Sequence, residues 1–232
     1  AELGTTLTAE QEEAAGAAPQ LSRDGVLEIR SFPEVLVEKC RDGETGVLYL
    51  SYSEPAGDSA NNTAVARAVF MGGDVPTLTD VEVIFRQRPE RPGGLHFGCR
   101  LLFAPDGTLF VTLGERYTAM GQAQDPNDHL GTVVRLRDDG SVPADNPFVG
   151  QTGARPEIWS YGHRNPQGLI VHPDTDAVWI TEHGPQGGDE LNRLDPGENY
   201  GWHCWEGAFD YVTKPIDFDE LLKAIRKALG GA

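Results

Sequence analysis

LLFAPDGTLFVT, residues 101–112, is the stretch whose reading decides the fold. Three apolar residues run into Pro105-Asp106-Gly107, and an apolar, aromatic, apolar run follows. That is two short strands joined by a tight turn, because Asp-Gly supplies the left-handed backbone a hairpin turn requires. The same pattern returns at LIVHPDTDAVWIT, residues 169–181, with one extra residue in the turn. Repeated hairpins of this kind are how the blades of a β-propeller present themselves.

Outward from that pair, the chain from Gly46 stays β in character. GVLYLSY (46–52), TAVARAVF (63–70), VEVIFRQ (81–87), GTVVRLRDDGSV (131–142) and EIWSYG (157–162) are short runs rich in β-branched and aromatic residues, separated by turn residues. Asp139-Gly140 predicts a further hairpin. Nothing between these runs has helical periodicity. The fold class is therefore all-β and antiparallel. At about 40–45 residues per blade, the roughly 165 residues from Gly46 supply about three or four blades, against the usual four to eight. A partial propeller leaves strand edges open, and one expected assembly is a homodimer in which two half-rings close through those edges.

The termini differ from this middle. Residues 1–24 form a polar arm, with Thr8 and Gln11 spaced as a capping box and no sustained apolar face, so a frayed helix or a disordered arm is expected there. Residues 25–38 predict a strand with a turn at Pro33, and the propeller domain is assigned to 25–205. After the strand-like FDYVT (209–213) and Lys214-Pro215 comes an amphipathic C-terminal α-helix. Asp217 and Glu220 cap it, Phe218, Leu221, Leu222, Ile225 and Leu229 form its apolar face, and Gly230 ends it. Residues 206–232 are a separate strand-and-helix unit on this reading.

Composition excludes several partners. The 19 basic against 36 acidic side chains leave a formal charge of -17, which repels phosphate backbones and anionic membranes. Neither nucleic acid nor membrane is an expected partner. Cys40, Cys99 and Cys204 have no zinc-finger spacing, and their odd number leaves at least one thiol unpaired within the chain. No apolar run reaches the eighteen or so residues of a membrane span. The first twenty residues lack the basic and apolar regions of a signal peptide, as a mature secreted chain would.

The expected chemistry lies in EIWSYGHRNPQGLIVHPDTDAVWITEHGPQGGDELNRLDPGENYGW, residues 157–202. His163-Arg164-Asn165-Pro166 puts an imidazole, a cation and an amide in a segment that Pro166 keeps out of a helix or a central strand. Loops on rigid strands carry a large share of binding residues. Glu182 to Glu190 holds Gly184, Pro185, Gly187 and Gly188, so its carbonyls are free of ladder duty beside Asp189 and Glu190. That is an oxygen-rich setting for a hard cation such as Ca²⁺. A polar loop with solvated acids accounts for the same residues, and the spacing alone leaves both readings open.

Four motifs carry a resemblance. LHFGCRLLFAPDGTLFVTLGER (95–116), HLGTVVRLRDDGSVPADNPF (129–148), IWSYGHRNPQGL (158–169) and EHGPQGGDELNRLDPGENYGW (182–202) occur in order. Residues 46 to about 205 thereby resemble the soluble quinoprotein aldose dehydrogenases, six-bladed β-propellers that use pyrroloquinoline quinone (PQQ) and calcium. The resemblance implies oxidation of the C1 hydroxyl of an aldose sugar, an external electron acceptor, and a periplasmic or secreted location. It implies His96 as the general base, which must be a neutral imidazole. Arg164 and Asn165 hold the quinone oxygens, and Asp189 makes a polar contact near them. Gly184 and Pro185 offer carbonyls to the calcium that polarises the cofactor, while Glu190 and Tyr200 belong to a second, structural calcium site. His163 and His183 are expected beside the site or in packing, and Trp159, Trp179 and Trp202 in blade cores.

The departures are Cys99 where the family has a small Gly or Ser, Glu115 where it has Asp, and no counterpart of its first and last blades. Residues 206–229 resemble instead the last strand and helix of a response-regulator receiver domain, without its phosphoacceptor pocket. The competing expectation is a non-catalytic, calcium-binding propeller fragment that serves as a binding or structural module.

Overall fold

The computed structural model describes residues 20–21, 27–28, 34–38, 45–57, 59–71, 77–185, 188–202 and 211–212, with the backbone alone for the strand residues before 46 and for 211–212. Gln20–Leu21 (β1) and Leu27–Glu28 (β2) pair as a short antiparallel ribbon. Three meanders follow in chain order. The first is β3 (Glu34–Glu38), β4 (Thr45–Pro55), β5 (Ala60–Met71) and β6 (Thr77–Arg86), with β7 (Arg91–Pro92) paired to the start of β5. The second is β8 (Gly98–Phe103), β9 (Leu109–Leu113), β10 (Thr132–Leu136) and β11 (Ile158–Tyr161), and the third is β12 (Pro166–Val171), β13 (Val178–Glu182), β14 (Asp189–Arg193) and β15 (Tyr211–Val212). Within each meander every strand pairs antiparallel with the next in sequence, as short connections require.

The protein is a partial β-propeller of three blades, and among the described residues its sheets do not close into a ring. The opening strands of successive blades meet: β8 packs against β12 on one side and against β3 and β4 on the other.

The middle blade is buried on both faces. Every residue of β9 and β10 is buried, and the two-residue period of a strand divides them between two cores. Leu109, Val111, Leu113, Val134, Leu136 and Ile158 meet Tyr49, Val65 and Phe85 of the first blade. Phe110 and Val133 turn the other way, onto Val178, Ile180, Leu194 and Tyr200. A sheet covered on both faces reads as a continuous apolar run, which is why these strands stand out in the sequence. Arg135 is buried inside β10 because its guanidinium is matched by Thr108 Oγ1 at 3.0 Å, Asp106 Oδ2 at 2.7 Å and Asn146 Oδ1 at 3.2 Å.

The two Asp-Gly steps diverge. Gly107, at φ +80°, closes the β8–β9 hairpin. Gly140, at φ +83°, also makes a turn, its N–H donating to the Arg137 carbonyl at 3.0 Å, but no return strand follows. The expected second hairpin is absent because Pro143, Pro147 and Pro156 remove ladder donors from the segment before β11. That segment is held by the Asn146 amide, which donates to the Arg135 and Pro156 carbonyls at 2.9 and 3.1 Å.

The acids Asp189 and Glu190, read as loop residues, open β14 instead. They pair there with Val212 and Tyr211, so the strand expected in FDYVT is the fourth strand of the third blade. Of the polar arm over 1–24, expected as a frayed helix or disordered, Gln20–Leu21 form β1 and the rest lies outside the described residues, as do the turn at Pro33, Lys214-Pro215 and the C-terminal helix. Among the described residues no helix is long and apolar enough to cross a membrane.

Leu109 lies fully buried between two blades. Leu109→Ala is expected to cost about 2–5 kcal/mol of unfolding free energy, whereas Ile170→Ala, at a position 59% exposed, should stay within about 0.5 kcal/mol. Urea denaturation midpoints measure both.

Candidate active site at the loop end of the blades

Antiparallel pairing fixes which loops share an end. Gly98 pairs with Leu113, and Pro166 with Glu182. The entry to β8, the exit from β9, the entry to β12 and the exit from β13 therefore lie on one side. Two bonds tie them across the blade boundary. The Glu115 N–H donates to the Arg164 carbonyl at 3.0 Å, and the Gly98 N–H donates to Asn165 Oδ1 at 3.1 Å. His96, Arg164, Asn165 and Gly184 are thus gathered on neighbouring loops.

His96 sits just before β8 at φ +53°. Its side chain is 12% exposed, and Nδ1 lies 2.6 Å from Oε1 of the fully buried Glu115. A carboxylate only accepts hydrogen bonds, so Nδ1 carries a proton toward Glu115, and in the neutral ring the lone pair falls on Nε2. Glu115, noted in the sequence only as a substitution, is the group that orients the imidazole. The β8–β9 register held the signal, since it returns the residue two past Leu113 to the level of the residue two before Gly98. Gly114 makes the approach possible: a Cβ there would collide with the His96 carbonyl oxygen and meet Asn165 Oδ1 at 3.0 Å.

Arg164 is half-buried. Its backbone N–H donates to Glu182 Oε2 at 2.7 Å, and Nη1 donates to the His183 and Gly184 carbonyls at 2.9 and 3.3 Å. Its guanidinium carbon stands 5.3 Å from the Trp202 ring centroid, so Trp202 backs Arg164. Asn165 Oδ1 also accepts from Gln167 Nε2 at 3.0 Å.

Behind Arg164, Glu182 Oε1 meets His163 Nδ1 at 3.1 Å, and His163 Nε2 meets Ser160 Oγ at 2.9 Å. The His163 ring stacks on Tyr200 at 4.7 Å. His163 is completely buried and belongs to the packing behind the site. His183 is half exposed, contributing its carbonyl to Arg164 while its imidazole lies 3.6 Å from Asp189 Oδ2. Sequence reasoning missed Glu182, whose acid at the end of a strand reads as solvated until its burial is known.

Gly184 and Asp189 are together, the Gly184 N–H donating to Asp189 Oδ1 at 2.9 Å, and Pro185 follows on the exposed turn. Glu190 accepts from Asn192 Nδ2 at 2.9 Å. The Tyr200 hydroxyl sits at the far end of β14, donating to the Arg193 carbonyl at 2.5 Å and accepting from the Asp195 N–H at 2.9 Å. Burial, with the Asp195 and Glu198 charges adding to it, pushes this phenol up to about 12, so it stays protonated. Among the described residues no group of three or more His, Cys, Asp or Glu forms a metal cage. Backbone carbonyls are the oxygens this end of the blades offers a cation.

Up-and-down blades with an imidazole–carboxylate pair, a cation and an amide at one end define a partial propeller of the sugar-dehydrogenase class. The chain belongs to the glucose/sorbosone dehydrogenase family, whose model matches residues 35–229 and so also spans the receiver-like segment. It is 48% identical over 155 residues to the aldose sugar dehydrogenase YliI of Escherichia coli, covering 67% of this chain and 41% of that protein. A solved glucose dehydrogenase superposes with a TM-score of 0.65 at 46% identity, over 73% of this chain and 48% of that one. The PQQ-bound form of an aldose sugar dehydrogenase from Streptomyces coelicolor superposes with a TM-score of 0.56 at 28% identity, over 72% and 50%. The chain spans less than half the length of the curated relatives it matches.

Gly114→Ala forces a methyl group into the His96 carbonyl. The expected cost is about 1–3 kcal/mol, together with a displaced His96 ring, read as a shift of its Cε1–H resonance in NMR.

Proposed function

We propose that the protein is a PQQ- and calcium-dependent aldose dehydrogenase that oxidises the C1 hydroxyl of its sugar, with His96 as general base. The observation that carries this reading is the His96 Nδ1–Glu115 Oε1 contact of 2.6 Å on loops bonded to Arg164 and Asn165. The PQQ-bound relative supports the choice of cofactor.

The residues fit such a group. Arg164 is a half-buried cation backed by an indole face, suited to an anionic quinone, and Asn165 adds an amide beside it. The carbonyls of Gly184 and Pro185, with Asp189 alongside, are the hard oxygen donors that calcium takes, and calcium there would draw electron density from the quinone. When bound, PQQ supplies the two-electron acceptor for the C1 hydride, and an external electron acceptor restores it.

The chain's own residues do the rest. His96 Nε2 takes the proton of the C1 hydroxyl as the C1 carbonyl of the lactone forms. Glu115 holds the ring and stabilises the imidazolium that results. Arg164 and Asn165 would hold the oxygens of the bound acceptor and stabilise negative charge there. Glu182 fixes the Arg164 backbone, so the cation is set before substrate arrives. Glu190 and the Tyr200 carbonyl are assigned to a second, structural calcium. A periplasmic or secreted location follows from the same reading.

The blades, unclosed among the described residues, favour a second reading: a calcium-binding module without catalysis. Fluorescence titration with PQQ and Ca²⁺, followed by dye-linked oxidation of glucose, separates the two. The expected result is saturable binding and turnover, with His96→Ala lowering kcat about 10²–10⁴-fold while PQQ binding is kept. Equal turnover in both proteins removes His96 from the mechanism, and absence of PQQ binding leaves the module. Two half-rings closing through their edges would double the mass in light scattering, and a monomer mass rejects that assembly.

A further inference from the structure

Beside His96 the chain takes a conformation that its side chains resist. Arg116 and Tyr117 stand in succession at φ +63° and +64°. Left-handed backbone is uncommon for bulky residues and persists only where the surroundings impose it, most often at functional sites. Here Arg116 imposes it. Its side chain is buried: Nη2 donates to Asn61 Oδ1 at 2.5 Å and to the Gly93 carbonyl at 2.7 Å, Nη1 donates to the Asn61 carbonyl at 3.2 Å, and Nε donates to the Leu95 carbonyl at 3.2 Å. The guanidinium carbon lies 3.8 Å from the Phe97 ring centroid. Burial pulls this guanidinium down to about 10, so the clamp is costly to build.

What the clamp accomplishes is the placement of Tyr117. The ring meets His96 edge to face, with centroids 5.3 Å apart at 82°, yet it remains 51% exposed. A core aromatic would be covered, and a solubilising surface residue would not be aromatic. An exposed ring held at a right angle to an imidazole offers a flat apolar surface next to a hydrogen-bonding atom. The C–H face of a pyranose, with hydroxyls around its rim, has the matching chemistry. Leu95 and Met120, both exposed, flank the two rings in sequence.

We propose that Tyr117 is a specificity-determining residue: the platform on which the C–H face of an aldopyranose rests, with its C1 hydroxyl toward His96. Binding and orientation of the ring come from Tyr117, and the proton is taken by His96. The proposal rests on the dehydrogenase reading for its substrate class, and its test is separate from that reading.

Saturation-transfer NMR with glucose, on protein without added cofactor, reads sugar binding directly. Tyr117→Gly removes the ring and supplies the residue that adopts positive φ freely. It should weaken sugar binding about two- to tenfold, the range set by one aromatic contact, with a Tm no lower than that of the wild type. Tyr117→Phe should bind as the wild type does. In turnover with PQQ and Ca²⁺, Tyr117→Gly should raise KM by the same factor and change kcat less. Equal sugar affinity in wild type and Tyr117→Gly overturns the proposal, as does wild-type protein that binds no aldose. Sugar binding that depends on Tyr117, without any oxidation, sustains it and instead defeats the dehydrogenase reading.

Discussion

Glu115 acts in two directions. Its backbone N–H bonds the Arg164 carbonyl across the boundary between the second and third blades, while its carboxylate, wholly buried, bonds the His96 imidazole. A buried carboxylate costs several kcal/mol when it is unmatched. The imidazole is therefore a structural partner as much as a chemical one, and the spacing of the two blades and the pose of His96 cannot vary independently. Asn165 makes the same kind of link from the opposite blade, its side-chain oxygen taking the N–H of Gly98 at the start of β8. Each blade thereby completes the hydrogen bonding of its neighbour's first residues.

This joint is stiff because of what lies beneath it. The middle blade has no solvent face: Leu109, Val111 and Leu113 lock into the first blade, and Phe110 and Val133 into the third. A one-residue slip of β9 would exchange these sets and place Thr112 among the apolar side chains, so the alternation fixes register as well as burial. Register in turn places the residue two past Leu113 beside the residue two before Gly98. The His96–Glu115 contact is a consequence of strand pairing before it is a feature of chemistry.

That dependence explains what could be read from the sequence. The hairpin at 101–112 was legible because Asp106-Gly107 and two flanking apolar runs all specify one conformation. The second Asp-Gly step misled, since Asp139-Gly140 makes the turn while the prolines after it deny the return strand its donors. β14 was hidden by Asp189 and Glu190, which have low strand propensity but both pair with β15, Glu190 also with Glu182 of β13. His96, Arg164, Asn165 and Gly184 were legible as motif residues. Glu115, Glu182 and Arg116 were not, because their importance comes from being buried, and charge alone does not announce burial. The left-handed pair at Arg116 and Tyr117 had no glycine to mark it.

Two of the histidine–glutamate pairs, His163–Glu182 and His96–Glu115, show how far geometry alone can mislead. Ser160, His163 and Glu182 form a hydroxyl–imidazole–carboxylate chain at 2.9 and 3.1 Å, the spacing of a nucleophilic triad. Ser160 and His163 have no exposed surface, however, and the ring is stacked flat on Tyr200, so no substrate reaches the hydroxyl. The chain ends instead at Glu182 Oε2 on the Arg164 backbone, where its effect is to hold a cation still. His96 has a similar carboxylate partner, but part of its ring meets solvent and its other nitrogen is not committed to a hydroxyl in the core. Partial exposure of the ring, and not the presence of a carboxylate, separates His96 from the wholly buried His163 in this fold.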